Sequence, residues 1–184
     1  MAEFSIDDKD LEGLRDQVVI VTGGSNGIGL AIVELLLSLG ALVVNGDLAP
    51  PSAGAAPPRS PRRYRFARTD VASWADLVAL FKQPEAAFGR PVDHVVANAG
   101  VGPRADYLST ELDAAGDLKE PSHATLDVNL KGVINTVTLA IFHLRRHPEG
   151  GSIVINASST GLQRFRAVDY CENFPTVLTL FLPR

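Results

Sequence analysis

Short apolar runs alternate with helical periodicity in the first part of the chain. Residues 18–22 (VVIVT) are a β-branched run, typical of a strand buried on both faces. A glycine-rich turn follows, and a helix ending at Gly40 is predicted by apolar residues at helical spacing: Ile28, Ile32, Leu35, Leu36 and Leu39. Residues 41–47 (ALVVNGD) predict a second strand. A strand, a helix and a strand within about 30 residues form a βαβ unit, which implies a parallel sheet.

The rest of the chain continues this alternation. Further strands are predicted at 62–71, 94–100 and 151–159. Ser73 is expected to cap a helix with an apolar face at Leu77, Leu80 and Phe81. A long helix is predicted over 122–147, beginning at a Ser122 cap, with one apolar face made of Leu126, Leu130, Val133, Val137, Ile141 and Leu144. This order of elements predicts an α/β fold with a doubly wound parallel sheet.

Two segments follow neither pattern. Residues 49–61 hold five of the twelve prolines and are expected to form a Pro/Ala-rich surface loop. Residues 101–120 are interpreted as a loop or a broken helix. At 184 residues, the chain is expected to form a single domain over 1–184.

Composition narrows the class of protein. The formal net charge of −4 argues against a nucleic-acid partner, which usually requires a basic patch. Cys171 is the only cysteine, so the sequence predicts no intrachain disulfide and no metal site of the zinc type. We expect no membrane partner, because no apolar run reaches the ~20 residues of a membrane span. The acidic, polar N-terminus does not resemble a secretory or transit signal, which predicts a cytoplasmic protein.

The glycine-rich turn is the first candidate site. Gly23, Gly27 and Gly29 lie between a predicted strand and a predicted helix. Glycines allow backbone N–H groups to approach a pyrophosphate, and the N-terminus of a helix favours phosphate. The turn therefore predicts dinucleotide binding, and a turn that binds nothing is the alternative. The Lys-Ser/Thr ending of a P-loop is missing from this turn, which excludes a nucleoside triphosphatase.

An acidic residue ends the second strand and bears on cofactor choice. Asp47 follows Gly29 by 18 residues, where a carboxylate accepts hydrogen bonds from ribose hydroxyls and repels a 2′-phosphate. Neither Asn26 nor Leu48 is basic, so NAD is favoured over NADP. Two alternatives stay open: a solvated carboxylate that binds no ribose, and NADP binding through the loop arginines at 59, 62, 63 and 65.

A small-residue turn ends the strand predicted at 94–100. It consists of Asn98, Ala99 and Gly100. The carboxyl ends of parallel strands form the ligand crevice in such sheets, so we expect this turn to line the same crevice as Asp47. A tight turn without a ligand is the alternative.

Taken together, these residues resemble the short-chain dehydrogenase/reductase family. The matching positions run from Gln17 to Tyr170. They are TGGSNGIG at 22–29, Asp47, Asp70 with Val71, ANAG at 97–100, VNLKG at 128–132, SIVINASSTG at 152–161, and Tyr170.

The resemblance implies a Rossmann-like fold and hydride transfer between NAD(P) and a secondary alcohol or ketone of a small molecule. It assigns cofactor binding to Gly23, Gly27, Ile28, Gly29, Asp47, Asp70, Val71 and Asn98. It assigns catalysis to Ser158, Tyr170 and Asn129. Ser158 is preferred to Ser159 because it lies three residues before Gly161, and Asn129 would hold a water in a proton relay. The alternative for Asn129 is a polar residue satisfied within its helix.

The sequence departs from the family motif after the tyrosine. The family pattern is Tyr-x-x-x-Lys, but Phe174 stands at the lysine position. A tyrosine with an ordinary pKa near ~10 is a poor base at pH 7. Nothing after Cys171 resembles the family, so 172–184 is interpreted as a non-family tail and the C-terminal part of the family fold is expected to be missing.

Enzymatic activity therefore stays open at this point, and two other functions compete with it. One is an inactive, truncated remnant that keeps only a dinucleotide-binding half. The other is a scaffold that pairs with a full-length relative. Because family members commonly pack through the long helix, the segment 122–147 is also the predicted contact of a homo-oligomer.

Overall fold

One parallel sheet organises the chain. The structure, a computed structural model, describes residues 8–52 and 62–158. Its strands are β1 (Val18–Thr22), β2 (Leu42–Asp47), β3 (Tyr64–Arg68), β4 (His94–Ala97) and β5 (Ser152–Ile155). They pair in parallel in the order β3-β2-β1-β4-β5. The order reverses between β1 and β4, which confirms the predicted doubly wound α/β fold.

Helices cover both faces of this sheet. After a 3₁₀ turn at Asp8–Leu14, the helices are α1 (Gly27–Ser38), α2 (Trp74–Phe81), α3 (Gln83–Phe88), α4 (Ala124–Leu126) and α5 (Val133–Leu144). A π-helical turn, Asp127–Gly132, joins the last two. In the described ranges, no helix combines the length and the apolar character needed to cross a membrane.

Alternation along the strands divides the core between the two faces. Val19 and Val21 of β1 pack on the α1 side of the sheet with Val33 and Leu36. Ile20 belongs to the cluster on the opposite side, which contains buried residues of α2 and α5: Leu77, Leu80, Phe81, Leu139, Ala140 and Leu144. Because side chains alternate across a strand, an apolar run such as β1 supplies both layers.

The apolar face predicted for the first helix is partly wrong. Leu36 is buried as expected, but Ile28 is 67% and Leu35 50% exposed, and the buried positions are Gly29, Val33 and Leu36. A Cβ on Gly29 would collide with the carbonyl oxygen of Gly23, so the helix approaches the preceding turn backbone to backbone. This contact sets the rotation of the helix and turns Ile28 outward.

The long helix predicted over 122–147 also needs correction. The helix begins at Ala124 and ends at Leu144, and the π-helical turn interrupts it. Its N-cap is His123, although the Ser122 hydroxyl accepts a hydrogen bond from Ala124 N–H (3.3 Å). Of the predicted face, three residues are buried and three are half-buried, the buried ones being Val133, Val137 and Leu144.

Other predicted boundaries are too long by a few residues. The strands predicted at 62–71, 94–100 and 151–159 are shorter at one or both ends, and α3 was not predicted. The Ser73 cap is confirmed, because its hydroxyl accepts a hydrogen bond from Asp76 N–H (3.3 Å). Residues 101–120 contain no helix. Most of the predicted 49–61 loop and all of the 172–184 tail lie outside the described residues.

A buried carboxylate ties the amino ends of the strands together. Asp93 is 4% exposed, and its Oδ2 accepts a hydrogen bond from Val18 N–H (2.6 Å). Its Oδ1 lies 3.0 Å from Nε2 of His147, beyond the end of α5. Glu149 N–H donates to His147 Nδ1 (3.2 Å), which leaves Nε2 as the nitrogen that carries a proton toward Asp93. One carboxylate thus links β1, β4 and the segment after α5.

Because of two partly buried histidines, we expect the folded protein to lose stability in mild acid. Burial lowers the pKa of both His94 and His143 below 6.5. The fold therefore favours their neutral forms, whereas the unfolded chain takes up protons as the pH falls below about 6.5. Their contribution is complete above that pH and is lost as the pH falls through the lower pKa values of the folded state. We expect the urea midpoint to fall between about pH 7 and about pH 5.

The double variant His94→Gln/His143→Gln is the comparison for this prediction. Its urea midpoint should change less with pH over the same range. Asp16 and Asp76 do not interfere, since hydrogen bonds lower the pKa of each carboxyl below 3.8 and they titrate in stronger acid. Parallel curves for the wild type and the double variant would contradict the assignment to these two histidines.

Candidate functional site

A cleft of about 580 Å³ opens at the carboxyl ends of the strands. It lies at the point where the strand order reverses, the position at which open α/β sheets bind ligands. Ten of the site residues predicted from the sequence line it: Gly23, Gly27, Ile28, Gly29, Asp47, Asp70, Val71, Asn98, Asn129 and Ser158. The eleventh, Tyr170, lies outside the described residues. The fold thus brings together residues that are up to 135 positions apart, from Gly23 to Ser158.

The glycine-rich turn needs glycine for two different reasons. Gly23 has a φ of +70°, and a Cβ there would lie 2.8 Å from the Cα of Ala99. Gly29 leaves no room for a Cβ beside the Gly23 carbonyl. By contrast, Gly27 has a φ of +52° and no heavy atom within 4 Å of the position of a Cβ. The turn is therefore closely packed on its protein side and open at Gly27, which lines the cleft.

The N-terminus of α1 begins inside this turn. Asn26 is its N-cap, and its side chain accepts a hydrogen bond from Gly27 N–H (2.8 Å). The first N–H groups of a helix have no partner within the helix, and those of Ile28 and Gly29 belong to this set. Together with the positive end of the helix dipole, such groups form an anion-binding position.

The Asn98 side chain forms hydrogen bonds with the backbone of the glycine-rich turn. Its Nδ2 donates to the carbonyl oxygens of Thr22 and Gly23 (both 3.1 Å), and its Oδ1 accepts from Asn156 Nδ2 (2.8 Å). The Thr22 hydroxyl accepts hydrogen bonds from the N–H groups of Asn98 and Ala99. These contacts join the ends of β1, β4 and β5, so the Asn98 side chain shapes the turn from the protein side.

Asp47 lies at the end of β2, half-buried at one end of the cleft. Its Oδ2 accepts a hydrogen bond from Ser25 N–H (2.9 Å) and its Oδ1 from Leu48 N–H (2.7 Å). A carboxylate oxygen accepts more than one hydrogen bond, so both oxygens keep capacity for a ligand hydroxyl. Asp47 and Asp70 are the only charged residues among the described residues that line the cleft.

Asp70 and Val71 form the wall next to Asp47. Asp70 Oδ1 accepts a hydrogen bond from Ala72 N–H (2.9 Å), which stabilises the turn into α2. Val71 is 6% exposed and packs against the π-helical turn, where a Cβ on Gly132 would lie 2.8 Å from Val71 Cγ2. Val71 thus gives this wall an apolar surface. The neighbouring Asp70 carboxylate already accepts a hydrogen bond within the turn.

Asn129 lies in the π-helical turn and is 3% exposed. Its Oδ1 accepts from Val101 N–H (2.8 Å), and its Nδ2 donates to the Val101 carbonyl (2.9 Å). The side chain therefore holds the segment after β4 at the cleft. The predicted role in holding a water stays a prediction.

Ser158 lines the cleft beyond the end of β5. In the order of strands, its strand β5 lies three positions from β2, which ends at Asp47. With a strand spacing of about 4.8 Å, the three steps from β2 to β5 separate Asp47 and Ser158 by about 14 Å across the sheet.

The described ranges contain no group of three or more His, Cys, Asp or Glu side chains able to hold a metal ion.

The comparisons with known proteins agree with this geometry. The model of a family described as short chain dehydrogenase matches residues 17–170. The chain belongs to the short-chain dehydrogenase family.

Individual members of the family show how far the similarity extends. The short-chain dehydrogenase/reductase ascJ of Acremonium egyptiacum is 54% identical over 173 residues, covering 92% of this chain and 57% of the relative. A cis-4-hydroxycyclohexanecarboxylate dehydrogenase of Sinomonas cyclohexanicum is 34% identical over 153 residues, covering 80% of this chain. The chain spans 57% of the length of each of these two curated relatives.

A solved structure shows the same fold. The crystal structure of a short-chain type dehydrogenase/reductase from Mycobacterium marinum superimposes with a TM-score of 0.74 at 22% identity. The alignment covers 95% of this chain and 68% of the other. The predicted Rossmann-like fold of the short-chain dehydrogenases is thereby confirmed.

Sequence reasoning missed several polar residues that support the cleft. Asn45 is fully buried beneath the glycine-rich turn, Thr22 is 1% exposed, and Asn156 contacts Asn98. A polar residue inside a run such as LVVNGD was a usable signal, because a strand buried on both faces is normally apolar. The partners of these residues lie far away in sequence, so their roles became visible only in the fold.

Proposed function

We propose that this chain binds NAD in the cleft and catalyses hydride transfer between NAD(P) and a secondary alcohol or ketone of a small molecule. The observation that carries the proposal is the convergence of the glycine-rich turn, the N-terminus of α1 and the Asp47 carboxylate at the switch point of the sheet. A pyrophosphate fits beside Gly27, where a Cβ would meet open space and where the first N–H groups of α1 lie.

The residues that would hold the cofactor divide along the cleft. The N–H groups of Ile28 and Gly29 would be the backbone donors for phosphate oxygens, and Asp47 would provide acceptors for ribose hydroxyls. Asp70 and Val71 would flank the adenine. When bound, the cofactor supplies the nicotinamide ring that exchanges a hydride with the substrate carbon.

NAD preference follows from charge. A 2′-phosphate at Asp47 would meet a carboxylate, and the described lining of the cleft contains no Lys or Arg to offset the repulsion. We expect calorimetric titration to give tighter binding of NAD than of NADP. Asp47→Asn should weaken NAD binding about 10- to 100-fold, because hydrogen bonds to a charged group contribute about 1.5–3 kcal/mol each.

Asp70→Asn is the matched control, since it removes the same charge from the same cleft. Its effect on the ratio of NAD to NADP affinity should be small, because the proposed ribose contact belongs to Asp47. Tighter NADP than NAD binding by the wild type, or equal effects of the two variants on that ratio, would contradict the proposal.

The substrate would bind at the end of the cleft next to Ser158. The lining away from Asp47 and Asp70 carries no charge; besides the amides of Asn129 and Asn156, it includes the small or apolar residues Val101, Gly102, Val133 and Ala157. This environment favours an uncharged part of a small alcohol or ketone, with the Ser158 hydroxyl donating to its oxygen. The relative from Sinomonas cyclohexanicum is named for oxidation of a hydroxycyclohexanecarboxylate, which supports a secondary alcohol.

Tyr170 would be the general base toward the substrate hydroxyl, as in the family. Phe174 at the position of the family lysine favours a second function, dinucleotide binding without turnover. Loss of effective general-base catalysis typically costs 10²–10⁴-fold in rate.

Formation of NADH with a panel of secondary alcohols separates the two functions. Turnover that disappears in both Ser158→Ala and Tyr170→Phe establishes the dehydrogenase. NAD binding without turnover establishes the binding function.

Cytoplasmic location and homo-oligomerisation through the 122–147 segment stay predictions. Sizing of the purified chain by light scattering tests whether it forms oligomers.

A further inference from the structure

A fully buried amide lies directly beneath the glycine-rich turn. Asn45, on β2, has an exposed fraction of 0%. Its Oδ1 accepts a hydrogen bond from Gly24 N–H (3.0 Å). Its Nδ2 donates to the Ser25 hydroxyl and to the Tyr64 hydroxyl, both at 3.0 Å. Both amide hydrogens and the carbonyl oxygen are therefore used, which leaves one orientation of the side chain that satisfies every partner.

We propose that Asn45, supported by Tyr64, is a positioning residue that sets the height of the glycine-rich turn above the sheet and thereby the affinity for NAD. The inference rests on the proposed NAD site, because it concerns how the chain prepares that site. Neither residue lines the cleft, so both act through the Gly24 N–H group and the Ser25 hydroxyl that Asn45 contacts.

Packing at Gly24 supports a direct mechanical role. A Cβ on Gly24 would lie 2.5 Å from Asn45 Oδ1 and 2.9 Å from Val33 Cγ2. The Asn45 amide thus occupies the space that a side chain at position 24 would need. The turn packs directly on this amide. Asn45 can occupy this space only because position 24 is a glycine and has no side chain.

The same strand also sets the position of the carboxylate proposed to bind the ribose. Asn45 and Asp47 are two residues apart on β2, so their side chains point to the same face of the sheet. Asn45 accepts from Gly24 N–H, and Asp47 accepts from Ser25 N–H (2.9 Å). Two adjacent N–H groups of the turn are therefore held by one strand. This arrangement links the spacing between the phosphate donors and the ribose acceptor to the geometry of β2.

Tyr64 closes the network on the outer side. It lies on β3, the edge strand of the described sheet, and is half-buried against the α1-side cluster. Burial raises the pKa of its hydroxyl above 10.0, so the group stays protonated at neutral pH. The hydroxyl oxygen accepts the second Nδ2 hydrogen of Asn45. Without it, that buried donor would lose its partner, which is costly inside a protein.

Calorimetric titration of NAD into the wild type and four variants tests the proposal. Asn45→Leu, close in volume, should raise the NAD Kd about 10-fold or more, and Tyr64→Phe about 3-fold, as expected when buried donors lose their partners. Tyr64→Phe should have no further effect in the Asn45→Leu background, because it acts through Asn45. Leu77→Ala is the control, since this core residue packs on the opposite face of the sheet and does not line the cleft.

The Leu77→Ala variant should unfold at a lower temperature while its NAD Kd stays within about twofold of the wild-type value, because the loss is a cavity in the core. If Asn45→Leu does not fold, Tyr64→Phe alone decides, because it removes only one oxygen atom. An NAD Kd within about twofold of the wild type in both variants, below the cost of a lost buried hydrogen bond, overturns the proposal. So does an equal rise in Kd in Leu77→Ala.

Hydrogen exchange of the Gly24 and Ser25 amides, measured without NAD, separates this inference from the proposed function. If the wild type binds no NAD, the proposed function fails, and the exchange rates then decide the positioning role. Faster exchange of both amides in Asn45→Leu or in Tyr64→Phe, with no change in Leu77→Ala, supports it. Unchanged exchange in both network variants overturns it.

Discussion

Gly29→Ala is expected to remove measurable NAD binding. The added Cβ would collide with the Gly23 carbonyl, which is backbone and has little freedom to move, and would lie 2.5 Å from Asn98 Nδ2. Overpacking of this kind typically costs about 1–3 kcal/mol of unfolding free energy. Displacing the first turn of α1 also moves the donors proposed for the pyrophosphate. Losing two such charge-assisted hydrogen bonds corresponds to about 100-fold weaker binding or more.

Alanine variants of two further glycines distinguish loss of cofactor binding from the cost of backbone strain. Gly27 and Gly89 have φ angles of +52° and +65°, and neither has a heavy atom within 4 Å of the position of a Cβ. Alanine at either position should cost about 1–2 kcal/mol of stability for the left-handed conformation. Only Gly27→Ala should also weaken NAD binding, because Gly27 lines the cleft and Gly89 ends α3.

Titration calorimetry and urea unfolding of the three variants test these expectations together. Gly29→Ala should lose both affinity and stability, Gly27→Ala should lose both with a smaller loss of stability, and Gly89→Ala should lose stability alone. NAD binding by Gly29→Ala at wild-type strength would show that the pyrophosphate does not use the N-terminus of α1.

Asp93→Ala should be the most destabilising single substitution at the base of the sheet. It removes the acceptor of Val18 N–H and the partner of His147 Nε2, both in a buried setting. Breaking a buried pair by removing one member typically costs about 3–5 kcal/mol. His147→Ala should cost less, about 1–3 kcal/mol, because Asp93 keeps the Val18 N–H group.

Urea denaturation followed by circular dichroism measures both changes. Glu111→Ala is the comparison, since the Glu111–Lys119 pair is exposed to solvent and such pairs contribute little. An Asp93→Ala variant as stable as Glu111→Ala would show that the buried carboxylate does not hold the strands together.

Local pattern was sufficient wherever neighbours along the chain decide the structure. The strand Val18–Thr22 has the predicted bounds, because a run of β-branched residues has few other conformations. Ser73 caps its helix as predicted, since a cap needs only the three residues that follow. The order of strands and helices in turn predicted the parallel sheet and the crevice at its switch point.

The π-helical turn and the rotation of α1 depended on packing that local pattern does not contain. Asn129 bonds both backbone groups of Val101, 28 residues away, and the helix around it adopts the π form at that point. Ile28 faces outward because Gly29 packs against Gly23. In both cases a distant or tightly packed backbone, and not helical periodicity, decides which residue faces inward.

By itself, the sequence determined the fold class and ten residues that line one cleft, because motifs at the ends of parallel strands converge whatever the details of packing. Only the tertiary structure decided what those residues contact. Asn98 and Asn129 bind protein backbone, and Asn45, which no motif marks, carries the glycine-rich turn. The physical reason is that a buried polar group must find its partner in space, and the hydrogen bonds that satisfy Asn45 connect β2 to residues 19 to 21 positions away.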